Sequence, residues 1–123
     1  MIGVGIDHVD VARMRAVLVR RPALTARLFT ASERADVARR VDPVPGLAAR
    51  FAAKEAAMKS LGVGLGGVAF AEIEVLRRPS GAPQLVVHGR AASLASTLGV
   101  ARFHLSMTHT ASTAGAIVLA EGA

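Results

Sequence analysis

A chain of 123 residues is long enough for one domain with a hydrophobic core and too short for two, so we predict a single domain over residues 1–123. Charged residues interrupt every apolar run well before the roughly 18 residues of a membrane span, and the lack of cysteine excludes a disulfide framework. No basic segment followed by a long apolar core marks secretion at the N-terminus. These features predict a soluble, cytoplasmic protein.

The excess of basic residues predicts an anionic partner. Lys and Arg number 15 against 9 Asp and Glu, a net charge of +6. A phosphorylated ligand, an acidic protein or nucleic acid would fit this charge. Single-strand binding relies on aromatic stacking, and the chain has four Phe, no Tyr and no Trp. We therefore predict no nucleic-acid and no membrane partner, although a basic helix that contacts phosphates alone stays open.

The stretch GVGIDHV, residues 3–9, is typical of a buried strand that ends at an aspartate. Alternation along the strand predicts two different faces. One is apolar and carries Ile2, Val4 and Ile6. The other is nearly bare and carries Gly3, Gly5 and Asp7. Glycines in a strand indicate the close approach of a backbone or a ligand. Asp7 could line such a site, or it could simply cap the segment that follows.

Two helices are predicted next. Asp10 can cap a helix over VARMRAVLVR, residues 11–20, in which apolar residues recur at helical spacing. Thr30 and Glu33 have capping-box spacing, which predicts a second helix to about Arg40. The segment VDPVPG, residues 41–46, is rich in proline and predicts a loop.

The strongest helical signal is LAARFAAKEAAMKSLG, residues 47–62, which is rich in alanine and ends at Gly62. Its large apolar residues form one stripe: Leu47, Phe51, Met58 and Leu61. Glu55 lies about 40° from Phe51 around the helix, so we expect it to be partly buried. A buried carboxylate requires a cation, a metal or a strong hydrogen-bond donor beside it.

The rest of the chain predicts strands around one short helix. The glycine-rich residues 61–67, LGVGLGG, follow a helix, so we interpret them as a helix stop and connector. The alternative is a loop that binds phosphate through its backbone. Residues 71–78 and 83–89 predict a hairpin, residues 90–99 a helix, and residues 102–109 and 115–121 two more strands. Polar side chains share one face of the first of these strands: His104, Ser106 and Thr108.

Two acids, Asp7 and Glu55, combine with the basic residues of the long helix to suggest a magnesium–phosphate site. Magnesium usually takes one or two carboxylates and completes its octahedron with water and substrate oxygens. Glu55 and Lys59 are neighbours at i and i+4, so the lysine could lie beside a bound phosphate. The alternative is an ordinary surface ion pair. Neither a zinc pattern nor a G-x-S-x-G elbow is present.

Six motifs, in this order, resemble the bacterial holo-acyl carrier protein synthases, which are short 4'-phosphopantetheinyl transferases: GVGIDHVDVARM, LFTASE, RFAAKEAAMKSLG, AEIEVL, GAPQLVVHG and FHLSMTHT. The resemblance extends over nearly the whole chain. Its most specific parts are G-[IVL]-D near the N-terminus and F-A-x-K-E-A-x-x-K in the middle. A free-standing enzyme is the expectation.

The resemblance implies a fold, a reaction and a set of roles. The fold is α+β, with an antiparallel sheet packed against a long central helix, in a homotrimer with active sites between protomers. The reaction transfers phosphopantetheine from coenzyme A to a serine of acyl carrier protein, depends on Mg²⁺ and releases adenosine 3',5'-bisphosphate. The implied residues are Asp7 and Glu55 for the metal, Glu55 and Lys59 for catalysis, Arg50, Lys54, Lys59, His104 and Thr108 for coenzyme A, and Arg13 for the carrier.

Some features depart from the family pattern. His8 stands where an aliphatic residue is usual, and it either tunes the site or faces outward. The segment after His109, TASTAGA, lacks the acidic or aromatic residues that are common there. Two other functions stay open: a non-catalytic module that binds coenzyme A or a nucleotide, and a basic domain that docks on acidic helices.

Overall fold

A computed structural model describes residues 1–64 and 66–123 of the chain; Leu65, within the predicted connector, lies outside the described residues. The elements, in chain order, are β1 (Gly3–Asp10), α1 (Val11–Arg20), α2 (Leu24–Leu28), α3 (Ala31–Ala38), α4 (Val44–Ser60), a 3₁₀ turn (Phe70–Glu72), β2 (Ile73–Arg77), β3 (Pro83–Val87), α5 (Gly89–Thr97), β4 (Val100–His109) and β5 (Thr113–Gly122). Antiparallel sheets with helices confirm the predicted α+β class.

The strands form two antiparallel sheets. β1, β5 and β4 make a three-stranded sheet in that order, and β2 pairs with β3 as the predicted hairpin. Helix α4, of 17 residues, packs across β1 and β5. Its contact surface consists of fully buried alanines, Ala52, Ala53, Ala56 and Ala57. Because these side chains are small, the helix backbone comes close to the sheet.

Strand β1 differs from its prediction in which face is buried. A Cβ at Gly5 would lie 1.8 Å from the Ala56 carbonyl oxygen, and one at Gly3 1.9 Å from that of Ser60. The predicted close approach is therefore confirmed, and the approaching group is the backbone of α4. The expectation of a buried strand is wrong for the apolar face, since Val4 and Ile6 are 57% and 67% exposed in the chain.

The predicted helix starts are confirmed at atomic detail. Asp10 accepts a hydrogen bond from the Ala12 amide at 3.1 Å, so the cap of α1 is Asp10 and Asp7 is left for another role. Thr30 and Glu33 form the capping box of α3, whose last residue is Ala38. The short helix α2 was not predicted from the sequence.

The predicted loop over residues 41–46 is wrong in its second half, because α4 already begins at Val44. Pro45 lies in the first turn, where the missing N–H is no loss and the fixed φ suits a helix. The Asp42 carboxylate accepts a hydrogen bond from the Val44 amide at 3.1 Å. Gly46 is buried against Val37 and Arg40, which leave no space for a Cβ.

The predicted end of α4 is confirmed. Gly62 has φ +73°, its amide donates to the Lys59 carbonyl, and the Val63 amide donates to Met58. These two bonds constitute a Schellman motif. The helix and two strands predicted beyond the hairpin are present as α5, β4 and β5. In the described part of the chain, no helix has the length and apolarity to cross a membrane.

Candidate active site

A cleft of about 670 Å³ opens between α1, α2, β1 and α4. Its polar lining includes Asp7, Glu55 and Arg13. Most of the remaining wall is apolar, formed by Met14, Val17, Leu24, Leu28, Phe51 and Phe70. Ligand sites commonly combine such an apolar wall with a few polar groups.

Asp7 and Glu55 come together because α4 lies directly on the glycine face of β1. Asp7 belongs to that face, and Glu55 lies one residue before Ala56, whose carbonyl contacts the Gly5 position. Burial and the negative charge of Asp7 raise the pKa of Glu55, while Lys59 opposes the rise. The two carboxylates predicted from the sequence therefore interact across the β1–α4 contact.

Lys59 completes this group of charges. Its Nζ donates to Asp7 Oδ1 at 3.1 Å and to the Ile6 carbonyl at 2.9 Å. The side chain is 52% exposed, so its ammonium group is accessible to a ligand. We name Asp7, Glu55 and Lys59 the acid–lysine cluster.

The acid–lysine cluster fits a hard divalent cation. Oxygen ligands from two carboxylates suit Mg²⁺, which retains water and substrate oxygens at its other positions. Among residues 1–64 and 66–123, no group of three or more histidine or acidic side chains is placed to hold a metal. Two carboxylates would leave the other positions of an octahedral cation to water or to a bound ligand.

Arg50 and Lys54, predicted to bind phosphate, are placed elsewhere. Arg50 is 1% exposed, pairs with Asp36 of α3 and donates to the Gly46 carbonyl at 3.0 Å. Lys54 is 0% exposed and pairs with the equally buried Glu33 at 2.8 Å. Neither residue lines the cleft of the single chain. Around α4 they project about 100° and more from Glu55, whereas Lys59 lies about 40° from it.

His104 and Thr108 lie on the far side of the three-stranded sheet. Their partners across β4–β5 are Leu119 and Gly115, whereas Asp7 faces Ala116 on the opposite, α4-covered face. We call the uncovered side the outer face; along β1 it also carries Val4 and Ile6, and His8 by alternation, although His8 also lines the end of the cleft. A single chain therefore separates His104 and Thr108 from the acid–lysine cluster by the thickness of a sheet.

Sequence reasoning found the charged end of the cleft and missed most of its apolar wall. Arg13, predicted to meet the carrier, lies on the exposed side of α1 and lines the cleft. The rings of Phe51 and Phe70 stack with centroids 5.1 Å apart. The i, i+4 spacing of Leu24 and Leu28 was the available signal for α2.

Comparison with known proteins gives the class first. Residues 3–114 match the family model of the 4'-phosphopantetheinyl transferase superfamily. The holo-[acyl-carrier-protein] synthase of Moorella thermoacetica is 43% identical over 98% of this chain and 94% of its own length. That of Streptomyces coelicolor is 47% identical over 99% and 98%. The chain belongs to the holo-[acyl-carrier-protein] synthase family, a class of phosphopantetheinyl transferases.

Solved structures agree with this assignment. The holo-[acyl-carrier-protein] synthase of Neisseria meningitidis superposes with a TM-score of 0.89 at 33% identity, covering 98% of this chain and 99% of its own. The Helicobacter pylori enzyme, solved in complex with coenzyme A, gives a TM-score of 0.84 at 27% identity, with coverages of 96% and 99%.

Proposed function

We propose that this protein transfers the 4'-phosphopantetheine group of coenzyme A to a serine of apo-acyl carrier protein and releases adenosine 3',5'-bisphosphate. The observation that carries the proposal is the acid–lysine cluster at one end of an apolar cleft, in a chain that matches its family over nearly its full length. Carriers of fatty-acid or polyketide synthesis are the proposed acceptors.

Asp7 and Glu55 would hold Mg²⁺ against the pyrophosphate of coenzyme A. When bound, the cation offsets the negative charge that develops on the phosphate oxygens. Asp7 accepts a hydrogen bond from Lys59, which orients its carboxylate.

Glu55 is the proposed base for the carrier serine. The hydroxyl oxygen attacks the β-phosphorus of the pyrophosphate in line with the bond to the leaving bisphosphate, and the hydroxyl proton passes to Glu55 directly or through water. In the metal-free chain burial and Asp7 raise the pKa of Glu55, and its carboxylate can accept a proton only where it is ionised, above that pKa. Lys59 places a positive charge near the leaving phosphate.

The first helix supplies the proposed carrier surface. Acyl carrier protein presents an acidic helix, and α1 carries exposed arginines, among them Arg13 at the edge of the cleft. Charge complementarity of this kind speeds association and weakens as salt rises.

A neighbouring copy is proposed to cover the outer face. Val4, Ile6 and Ile117 expose 57%, 67% and 38% of their surface there. Their strands pair side by side, so these residues form one patch. A homotrimer that buries this patch would place His104 and Thr108 of one protomer beside the cleft of the next, where they could contact coenzyme A. This arrangement explains how residues on opposite sides of one sheet could serve one site.

The test is intact-mass spectrometry of apo-acyl carrier protein incubated with this protein, coenzyme A and Mg²⁺. The expected result is a gain of one phosphopantetheine unit on the carrier, which a chelator abolishes. Coenzyme A binding without any mass gain on several carriers would instead indicate a non-catalytic binding module. Carrier binding that needs neither coenzyme A nor Mg²⁺ and survives Glu55→Gln would indicate a docking domain.

A further inference from the structure

Lys54 lies in the interior and uses its ammonium group entirely within the chain. Its Nζ donates to Glu33 Oε1 at 2.8 Å, to the Phe70 carbonyl at 3.0 Å and to the Ile73 carbonyl. An ammonium group has three protons, so these three bonds use its full donor capacity. Lys54 also lies over the Phe29 ring, 5.7 Å from the centroid.

The Glu33 carboxylate also makes all of its contacts within the chain. Besides Lys54, its carboxylate accepts the Thr30 amide at 2.9 Å and the Val75 amide at 2.9 Å. Glu33 thereby joins the start of α3 to strand β2. The Glu33–Lys54 pair, both members 0% exposed, connects α3, α4, β2 and the turn at Phe70.

The Phe70 carbonyl is the contact that links this buried pair to the cleft. Phe70 lines the cleft, and its ring stacks on Phe51 with an interplanar angle of 18°. Phe51 precedes Glu55 by one turn of α4, so the stacked rings form the wall beside the base. A shift of the Phe70 backbone would therefore displace the aromatic wall next to the acid–lysine cluster.

We propose that Lys54 is a positioning residue: with Glu33 it holds the Phe70 turn against α4 and so fixes the Phe51–Phe70 wall of the cleft. This role replaces the phosphate contact expected for Lys54 from the sequence. Its effect on the reaction rests on the proposed function, whereas its effect on the wall does not.

Stability alone does not require a buried ion pair at this place. Removing two charges from water is costly, and replacing such a pair by apolar or neutral groups of similar volume is often neutral or stabilising. The specific property of Lys54 is a set of three directed hydrogen bonds, two of them to carbonyls at the cleft turn and at the start of β2. A methionine fills similar volume and provides none of these bonds.

The test uses the double variant Lys54→Met/Glu33→Gln, because Lys54→Met alone would leave a buried carboxylate without its cation. The control is Asp36→Asn on the same helix as Glu33, which removes the carboxylate that Arg50 and Arg77 share and makes no hydrogen bond to the Phe70 turn.

The readout is ¹⁹F NMR of protein labelled with fluorophenylalanine. The chain contains four phenylalanines, so four resonances are expected and can be assigned by Phe→Leu substitution. The resonances of Phe51 and Phe70 should shift and change width in the double variant and remain at their wild-type positions in Asp36→Asn. Phe29 lies under the Lys54 ammonium group, so its resonance should change in the double variant whether or not the wall moves, and it is not diagnostic. The resonance of Phe103 is the internal reference.

Kinetics provide the second readout, at a temperature where both variants are folded. If the wall positions substrate, kcat/KM of the double variant should fall about tenfold or more below that of Asp36→Asn, because small misplacements of a reacting group are costly. Unchanged Phe51 and Phe70 resonances together with a kcat/KM equal to the control would overturn the proposal. If wild type itself shows no transfer, the function fails while the resonances still decide the positioning role.

Discussion

At the scale of single residues, burial separates basic side chains that look alike in the sequence. Lys54 and Lys59 lie on one helix within two turns of each other. Lys54 is fully buried and bonded to Glu33 and two carbonyls, whereas Lys59 is half-exposed beside Asp7. Of these two, Lys59 is the one accessible to a phosphate, so Lys59 serves the proposed chemistry and Lys54 the proposed positioning of the cleft wall.

Glu55→Gln should reduce transfer about 100-fold or more, because the amide is no base and a poor ligand for a hard cation. The same substitution should stabilise the fold at neutral pH. The pKa of Glu55 is raised in the folded state from its ordinary 4.5, so the group favours folding below pH 4.5 and loses that contribution as pH rises through its folded pKa.

Thermal unfolding with a chelator present checks the second effect. The melting temperature of Glu55→Gln should exceed that of wild type at pH 7 and match it near pH 3. Near-full transfer activity in this variant would show that the assigned chemistry is wrong.

Lys59→Met should reduce transfer on the order of 100-fold, because loss of one group that stabilises developing charge typically has this size. The melting temperature should change little, because exposed ion pairs contribute about 1 kcal/mol at most. Initial rates and a melting curve on the same preparation measure both effects. A large fall in melting temperature alongside the loss of activity would show that Lys59 is mainly structural.

At the scale of elements, the contact between α4 and β1 builds the candidate site. Two glycines on the strand and a row of alanines on the helix bring the two backbones together. The distance between Asp7 and Glu55 therefore depends on the absence of side chains in this contact. Widening this contact should therefore weaken metal binding at the site more than it destabilises the fold.

Gly5→Ala should separate α4 from β1, because its Cβ would lie 1.8 Å from the Ala56 carbonyl oxygen. Overpacking of this kind costs about 1–3 kcal/mol. We expect a lower free energy of unfolding and a larger loss in affinity for Mg²⁺, measured by titration with Mn²⁺ as a paramagnetic substitute.

Gly64→Ala is the control for Gly5→Ala, because a Cβ at Gly64 meets no atom within 4 Å. It should leave both the unfolding free energy and the metal affinity near wild type. Equal metal affinity in the two variants would contradict a site built by the α4–β1 contact.

At the scale of the whole molecule, the apolar outer face of the sheet and the basic surface of α1 are two candidate contact surfaces. The outer face exposes Val4 and Ile6, which a strand normally buries, and the described chain offers them no cover. The +6 charge favours an acidic partner. These surfaces lead to separate predictions, one for self-association and one for the carrier.

Val4→Glu should dissociate the proposed homotrimer, because it places a charge in an apolar interface. Sedimentation velocity should show a shift to monomer, with transfer activity lost as the neighbour's residues leave the cleft. Val41→Glu is the control, since Val41 is also exposed and lies outside the outer face. A wild-type protein that sediments as a monomer would refute the interface.

Arg13→Ala should raise KM for the carrier and leave KM for coenzyme A nearly unchanged. The salt dependence of the carrier KM should also become shallower, because one charge of the steering surface is lost. Steady-state kinetics at low and high salt measure both values. An equal rise in both KM values would place Arg13 at the coenzyme instead.

Much of the fold and the charged part of the site could be predicted, for identifiable reasons. Caps and periodicity are local, so Asp10, Thr30 and Gly62 marked helix ends correctly. The residues 44–46 were misjudged because a proline serves a loop and a helix start equally well. The apolar wall escaped notice because its members come from separate elements.

The sequence by itself determined the order of all elements except α2, the α+β class, the family and the placing of Glu55 and Lys59 one turn apart on one helix, since all of these follow from local spacing and motif. Tertiary structure alone decided which face of β1 is buried and which basic residues of α4 reach the cleft. It also decided that His104 lies on the opposite face of the sheet from Asp7. These properties depend on how α4 crosses the strands, and side-chain periodicity carries no information about which neighbour will cover a given face.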